Sequence, residues 1–224
     1  NMIDKSWDKI YRSGNQHSQW PWTDLISLIY KYYLSTIKKK RKLKVLELGC
    51  GFGANIPFFK KIGFEYYAFE QSKIAITSIL KRYPDLKKNI KHQDFTTDKF
   101  ENKKFDFVID RGSMMHNSTS SIKKGILFSK QSLKRDGYYF CIDWFTKKHP
   151  DYLNGDIQED KYTLKNFKKG QFKNYDGIIH FADKKIIRKL FSGWKIVEMN
   201  EKRKYNSLKD KIISSSWMFV AKKN

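Results

Sequence analysis

The chain has 224 residues, 40% hydrophobic and 16% aromatic, which suits one folded domain with a sizeable core and excludes a disordered chain. No apolar run approaches the ~20 residues of a membrane-spanning helix, and the first residues lack the apolar core of a secretory signal. Two cysteines, Cys50 and Cys141, cannot build a disulfide framework, and no Cys-x-x-Cys is present for a structural zinc, so a cytoplasmic domain of enzyme size is expected.

The formal net charge of +23 raises a nucleic-acid partner. It rests on 39 lysines against 7 arginines. Arginine is the usual residue for bidentate contacts to phosphate and guanine. The lysines are scattered in doublets such as Lys60-Lys61 and Lys87-Lys88, with one dense cluster at 38–44. They read mainly as a solvated face. An anionic acceptor, RNA or a phosphorylated small molecule, stays open.

In chain order, two helical pieces at 2–12 and 23–38 come first, joined by a loop carrying Trp20-Pro21-Trp22. The clearest buried strand is 44–48. It runs into a glycine turn, and a helix at about 54–62 follows, whose N-terminus can receive a polar group. A second strand covers 65–70. Ser72 caps a helix over 73–83 that stops near Pro84. Strands at 90–93 and 105–110, a helix at 120–133, turn signals at Arg135-Asp136-Gly137 and a strand at 138–144 complete an alternating pattern. Such alternation predicts a parallel α/β sheet. The stretch 146–177 has few periodic apolar positions but carries Tyr152, Tyr162, Phe167, Phe172 and Tyr175. A structureless segment of that length in a compact domain is expected to be a functional lid. A helix at 183–191 and strands at 194–199 and 216–221 close the chain.

The strongest chemical signal is Leu46-Glu47-Leu48-Gly49-Cys50-Gly51-Phe52-Gly53. A strand ending in this turn places glycines where side chains would block a ligand or where φ must be positive. Gly49, Gly51 and Ala54 also fit the dinucleotide pattern G-x-G-x-x-G/A, a weak match when alone. Three acids at strand ends strengthen it: Glu47 before the first glycine, Glu70 at the end of the second strand, and Asp94 after the third.

With these motifs in this order, the region from about 43 to 144 resembles the class I S-adenosylmethionine-dependent methyltransferases. The phrase Phe105-Asp106-Phe107-Val108-Ile109-Asp110-Arg111-Gly112 looks like their thiopurine and tellurite-resistance type, which acts on small molecules. The resemblance implies a doubly wound, seven-stranded, mostly parallel Rossmann-like sheet with an antiparallel last strand. It implies one domain over 1–224: a helical cap (1–42), a cofactor-binding core (43–145), a lid (146–180) and a C-terminal helix with a strand pair (181–224). S-adenosylmethionine is the implied cofactor. Gly49, Cys50, Gly51 and Asn55 would then lie against its methionine part, with Glu47 beside them. Glu70, with Gln71 and Ser72, would hold the ribose hydroxyls. Asp94 and Phe95 would meet adenine, and Asp110, Arg111 and Gly112 would close over the methionyl amine. DNA-amino methyltransferases of this fold carry an Asn/Asp-Pro-Pro-aromatic motif at the fourth strand, and this chain does not.

Trp7, Asp8 and Tyr11 share one face of the first helix, and related enzymes fold such a helix over the cofactor; Trp7 and Tyr11 could equally be a core stripe. Open parallel sheets bind ligands at the carboxyl ends of their strands. That rule makes His116 and Asp143 the candidate catalytic residues and Trp144 and His180 candidate acceptor contacts; Trp20 and Trp22, aromatics beside a rigid Pro, suit a binding lid over the acceptor or packing anchors equally. No residue trio has metal-ligand spacing, so no metal is expected. The expected reaction is methylation, O-methylation before N-methylation, of a small anionic or phosphorylated metabolite, such as a nucleotide-linked or surface-polysaccharide precursor. RNA methylation through the lysine-rich surface and a non-catalytic cofactor-binding module are the alternatives.

Overall fold

The structure is a computed structural model, and it describes residues 6–14, 17–36, 41–98 and 100–223. Part of the lysine cluster, 38–40, lies outside these residues. The main sheet has seven strands in the order β3-β2-β1-β4-β5-β10-β9. They are β1 (Lys44–Leu48), β2 (Glu65–Glu70), β3 (Ile90–His92), β4 (Phe105–Arg111), β5 (Leu133–Phe145), β9 (Trp194–Asn206) and β10 (Lys211–Lys223). Strands β1 to β5 pair in parallel, and β10 runs antiparallel to both β5 and β9. The doubly wound fold with its antiparallel last strand is therefore present.

Period-two alternation explains how the sheet is covered on both faces. Leu46, Leu48, Val108, Tyr139 and Cys141 face one core, built with α5 (Thr119–Ser132) and α6 (Lys184–Leu190). Val45, Tyr66, Phe107, Ile109, Phe140 and Ile142 face the other, built with α2 (Thr23–Thr36), α3 (Ile56–Lys61) and α4 (Lys73–Arg82). The short α1 (Ser6–Arg12) packs on α4 through Tyr11, Phe52 and Ala75.

Several boundaries differ from the sequence reading. Strand β5 starts at Leu133, because Arg135-Asp136-Gly137 form a bulge inside it, with Asp136 at φ 63° and a register shift opposite Phe105 and Phe107. The last two strands extend well past 199 and before 216 as a long hairpin. Helix α3 begins at Ile56, two residues after the expected start.

The segment expected to be structureless folds onto the sheet instead. It forms a second sheet of β6 (Asp156–Ile157), β7 (Thr163–Lys165) and β8 (Ile179–His180). Tyr162, Leu164, Phe167 and Phe172 are buried in the same core as α5 and α6. Aromatic burial, with no helical period, fixes this segment. Among the described residues no helix is long and apolar enough to cross a membrane.

Candidate active site

A cleft of about 460 Å³ opens at the carboxyl ends of β1, β2, β4 and β5. Its floor is the turn after β1. Gly49 sits at φ 66° with its N–H donated to the Phe69 carbonyl at 2.9 Å. A Cβ there would meet Ser113 Oγ at 2.6 Å, so only glycine fits. Gly51, at φ 53°, turns its N–H to Glu70 Oε2 at 2.7 Å. Glu70 Oε1 accepts the Ser72 N–H at 2.8 Å. The carboxylate thus ties the end of β2 to the glycine turn and fixes its plane. Burial pushes its pKa up, against the pull of those backbone N–H groups.

Glu47 is buried beneath the turn. It accepts Asn55 Nδ2 at 2.7 Å and the Tyr66 hydroxyl at 2.6 Å. Burial nevertheless pushes its carboxyl up to about 7. Asp94 lines the cleft beside Gln71, Gln93 and Phe95, and its Oδ1 accepts both the N–H and the hydroxyl of Thr96 at 2.8 Å. It caps a turn with one oxygen and keeps the other for a further partner.

Other expected cofactor contacts have structural duties. Asp110 is buried behind the cleft, where Oδ1 accepts the N–H groups of Ser113 (3.0 Å) and Met114 (2.8 Å), and burial pushes its pKa up to about 6. It shapes the loop that brings Arg111, Gly112 and His116 to the cleft. Ser72 is likewise behind the wall: its Oγ caps α4 at Ala75 N and donates to Asp8 Oδ1 at 2.5 Å. That bond clasps α1 over the cleft, and Trp7 and Tyr11 of α1, with Cys50, are in the lining.

The opposite end of the cleft is built from side chains distant in sequence. Register between β5 and β10 shifts between Trp217 and Met218, leaving Asp143 as the extra residue of a β-bulge, at φ 62°. A non-glycine residue in this region is uncommon, and bulges beside active sites re-aim a side chain. Asp143 turns into the cleft, where Oδ2 meets Arg111 Nη2 at 3.0 Å. Its Oδ1 accepts from Lys202 Nζ at 3.2 Å and Ser216 Oγ at 3.1 Å. Lys202 also pairs with Asp24. Burial alone would lower the Lys202 pKa, yet Asp24 and Asp143 hold it above the usual value. The Arg111 guanidinium lies 3.7 Å from the centre of the Trp22 ring. His116 Nδ1 is 2.9 Å from the Tyr175 hydroxyl, and its ring packs edge-on against Trp7 at 4.8 Å.

Three expected acceptor contacts lie elsewhere. Trp144 and His180 are buried in the core behind β5, where Trp144 Nε1 donates to His180 Nδ1 (3.2 Å) and His180 Nε2 meets Thr119 Oγ1 at 3.1 Å. The bulge at Asp143 shifts the period of β5, so Trp144 joins Tyr139 and Cys141 in the core built with α5 and α6. Trp20 is 78% exposed and outside the lining, whereas Trp22 is inside it. Sequence reasoning missed Asp24 and Lys202, which no motif marks. It missed Gln93 and Ser113, which motif positions flank, and it placed Phe172 and Tyr175 only as generic lid aromatics.

The cleft suits a polar cofactor. Of the four buried side-chain atoms lacking a hydrogen-bond partner among the described residues, Asn55 Oδ1, Gln93 Oε1 and Arg111 Nε belong to lining residues. Buried polar groups without partners are rare, so their clustering at one cleft points to a ligand that satisfies them. No group of three His, Cys, Asp or Glu side chains arranged for a metal is found among the described residues.

The methyltransferase domain family matches residues 22–198. No curated protein matches the chain. Among solved structures, a SAM-dependent methyltransferase from Methanosarcina mazei superposes with TM-score 0.66 at 15% identity, over 85% of this chain and 96% of that one. The N-methyltransferase NodS from Bradyrhizobium japonicum, in complex with S-adenosyl-L-homocysteine, gives 0.64 at 12% identity, over 98% and 99%. TehB from Haemophilus influenzae gives 0.57 at 16% identity, over 87% of this chain and 62% of that one. The chain therefore belongs to the methyltransferase domain family, and it is an S-adenosylmethionine-dependent enzyme.

Proposed function

We propose that the chain transfers the methyl group of S-adenosylmethionine to a small molecule held between Trp22, Asp143 and His116. The observation that carries this reading is the Glu70 carboxylate, fixed by the N–H groups of Gly51 and Ser72 at the cleft floor. A carboxylate has about four acceptor positions, and the N–H groups of Gly51, Ser72 and Gln71 leave it capacity towards the ribose diol. The second oxygen of Asp94, with Gln93 Oε1, suits the adenine amine, and Asn55 and Gly112 suit the methionyl end. Likeness to TehB supports the tellurite-resistance branch at the level of fold. The cytoplasm, where this cofactor is made, is the proposed location.

The bound cofactor supplies an electrophilic methyl on a sulfonium, with a neutral leaving group. The protein's part is then to align the acceptor and exclude water. Trp7, Trp22, Phe145 and Phe172 wall the acceptor end. His116, oriented by Tyr175, is the proposed proton acceptor. Asp143, engaged at both oxygens, is assigned to holding the acceptor rather than to taking its proton. The anionic acceptor expected from composition loses its support, because among the described residues no lysine lines the cleft. The phosphorylated or nucleotide-linked metabolite rested on a lysine-lined pocket. RNA methylation loses the same footing at the cleft.

Thermal unfolding tests the reading. S-adenosylmethionine and its demethylated product should each raise the melting temperature in a concentration-dependent way, and NAD should not. Stabilisation by NAD alone would refute it.

A further inference from the structure

The chain carries 39 lysines, yet among the described residues none lines the cleft. Among the described residues its one lysine or arginine is Arg111, whose Nη2 pairs with Asp143 and whose face Trp22 covers, leaving Nε–H as the one donor without a partner. Lys202, just behind, is shared between Asp143 and Asp24. These four groups sum to zero charge, so an anionic acceptor meets no uncompensated cation. Replacing Asp143 at Arg111 would leave that carboxylate and Lys202 to be re-paired in a partly desolvated site, which is costly.

Cationic chemistry is better served. Asp143 has about four acceptor positions, and three are filled, by Arg111, Lys202 and Ser216, which leaves one on Oδ2. The same cleft is lined by the aromatic side chains of Trp7, Phe145 and Phe172. A carboxylate beside aromatic rings is the pattern that receives an ammonium group. The bulge that aims Asp143 into the cleft has its backbone in the left-handed region, a local cost that a purely structural ion pair would not require.

Building on the function proposed above, we infer that the acceptor is a compact amine, bound as its ammonium form between Asp143 and the aromatic wall, and that nitrogen receives the methyl group. The ammonium gives one N–H proton to His116, which passes it to water. The lone pair so released forms the N–CH3 bond as the S–CH3 bond breaks and its electron pair stays on sulfur. The product is a methylated ammonium, and one proton is released per turnover.

The test uses two isosteric probes, tetramethylammonium and tert-butyl alcohol, with inorganic phosphate as the anionic probe. Each is titrated by NMR into the full chain saturated with S-adenosylhomocysteine. Tetramethylammonium should bind at least about tenfold more tightly than the alcohol, and phosphate should not compete with it. Asp143→Asn should remove most of that preference while the affinity for S-adenosylhomocysteine stays unchanged. Asparagine tolerates the left-handed backbone, so the variant should keep its fold. Trp7→Ala provides a second variant and should weaken the cation without creating an anion site. Equal binding of the two isosteres, or phosphate binding abolished by Arg111→Gln, would overturn the inference. S-adenosylhomocysteine binding without cation preference overturns the amine acceptor alone. Absence of S-adenosylhomocysteine binding overturns the parent function as well.

Discussion

The two ends of the cleft are held by different kinds of bond. At the cofactor end, two carboxylates are fixed by backbone N–H groups: Glu70 by Gly51 and Ser72, Asp110 by Ser113 and Met114. At the acceptor end, side chains fix one another across long stretches of chain, as Lys202 does between Asp24 and Asp143, and Trp22 does over Arg111. Backbone-held groups move only if the fold moves. Side-chain-held groups can be exchanged while the sheet stays intact. One scaffold can thus keep its cofactor and change its acceptor, which is how a common fold carries many specificities.

The largest expected effect breaks the backbone-held end. Glu70→Ala removes two charge-assisted acceptors and leaves the Gly51 and Ser72 N–H groups without their partner. A loss of about 3 kcal/mol, more than a hundredfold in cofactor affinity, is expected by isothermal titration. An unchanged affinity would remove Glu70 from the cofactor site.

His116→Ala sharpens the comparison from the other end. Turnover should fall by roughly 10²-fold, with the affinity for S-adenosylhomocysteine nearly intact. A pH–rate profile that loses its rising limb in the variant separates proton transfer from a mere packing role. Unaltered turnover would move the chemistry to alignment alone.

The smallest effect contrasts the two ends through pH. Burial pulls the His180 pKa down to about 4, so it folds in neutral and resists charging. Its contribution to stability is present above the unfolded value near 6.5 and is lost as pH falls towards 4. Glu47 and Asp110 act in the opposite direction. Their folded values are raised to about 7 and about 6, so their contribution declines as pH rises from about 4 into that range. The opposing slopes partly cancel in the parent chain. His180→Gln should flatten the acid side of a denaturation-versus-pH series, and Glu47→Gln should steepen it, each by up to about 1.4 kcal/mol per pH unit. Parallel curves for both variants would contradict these assignments.

The contrast also explains what could be read from the sequence. Strands β1 and β2 were legible to the residue because alternation and the glycine turn are local patterns. Glu47, Glu70 and Asp94 were legible because acids at strand ends have few other reasons to recur at three successive strands. The Lys202–Asp143–Asp24 ladder was not, since its members come from three elements and pair only after β10 has been inserted beside β5. Trp144 and His180 were misplaced because residue type alone does not say which face of a strand a side chain takes. Asp143 adds the extra residue of a bulge, and that break in period carries no sequence mark except an acid where an apolar residue would continue β5. The segment 146–180 looked unstructured because its core is made by irregularly spaced aromatics, which satisfy burial without any period.

A cleft without lysines among the described residues, inside a chain of net charge +23, also shapes the traffic of ligands. The long-range potential is positive, and at physiological salt it extends about 8 Å from the surface. Anions gather in that layer without a place to settle in the cleft. The ammonium acceptor inferred above would cross an electrostatic barrier to reach Asp143, so added salt should speed its arrival. The same field pushes the methylated ammonium outward once it forms. Charge that contributes nothing to binding at the cleft therefore acts on exchange, slowing capture and hastening release.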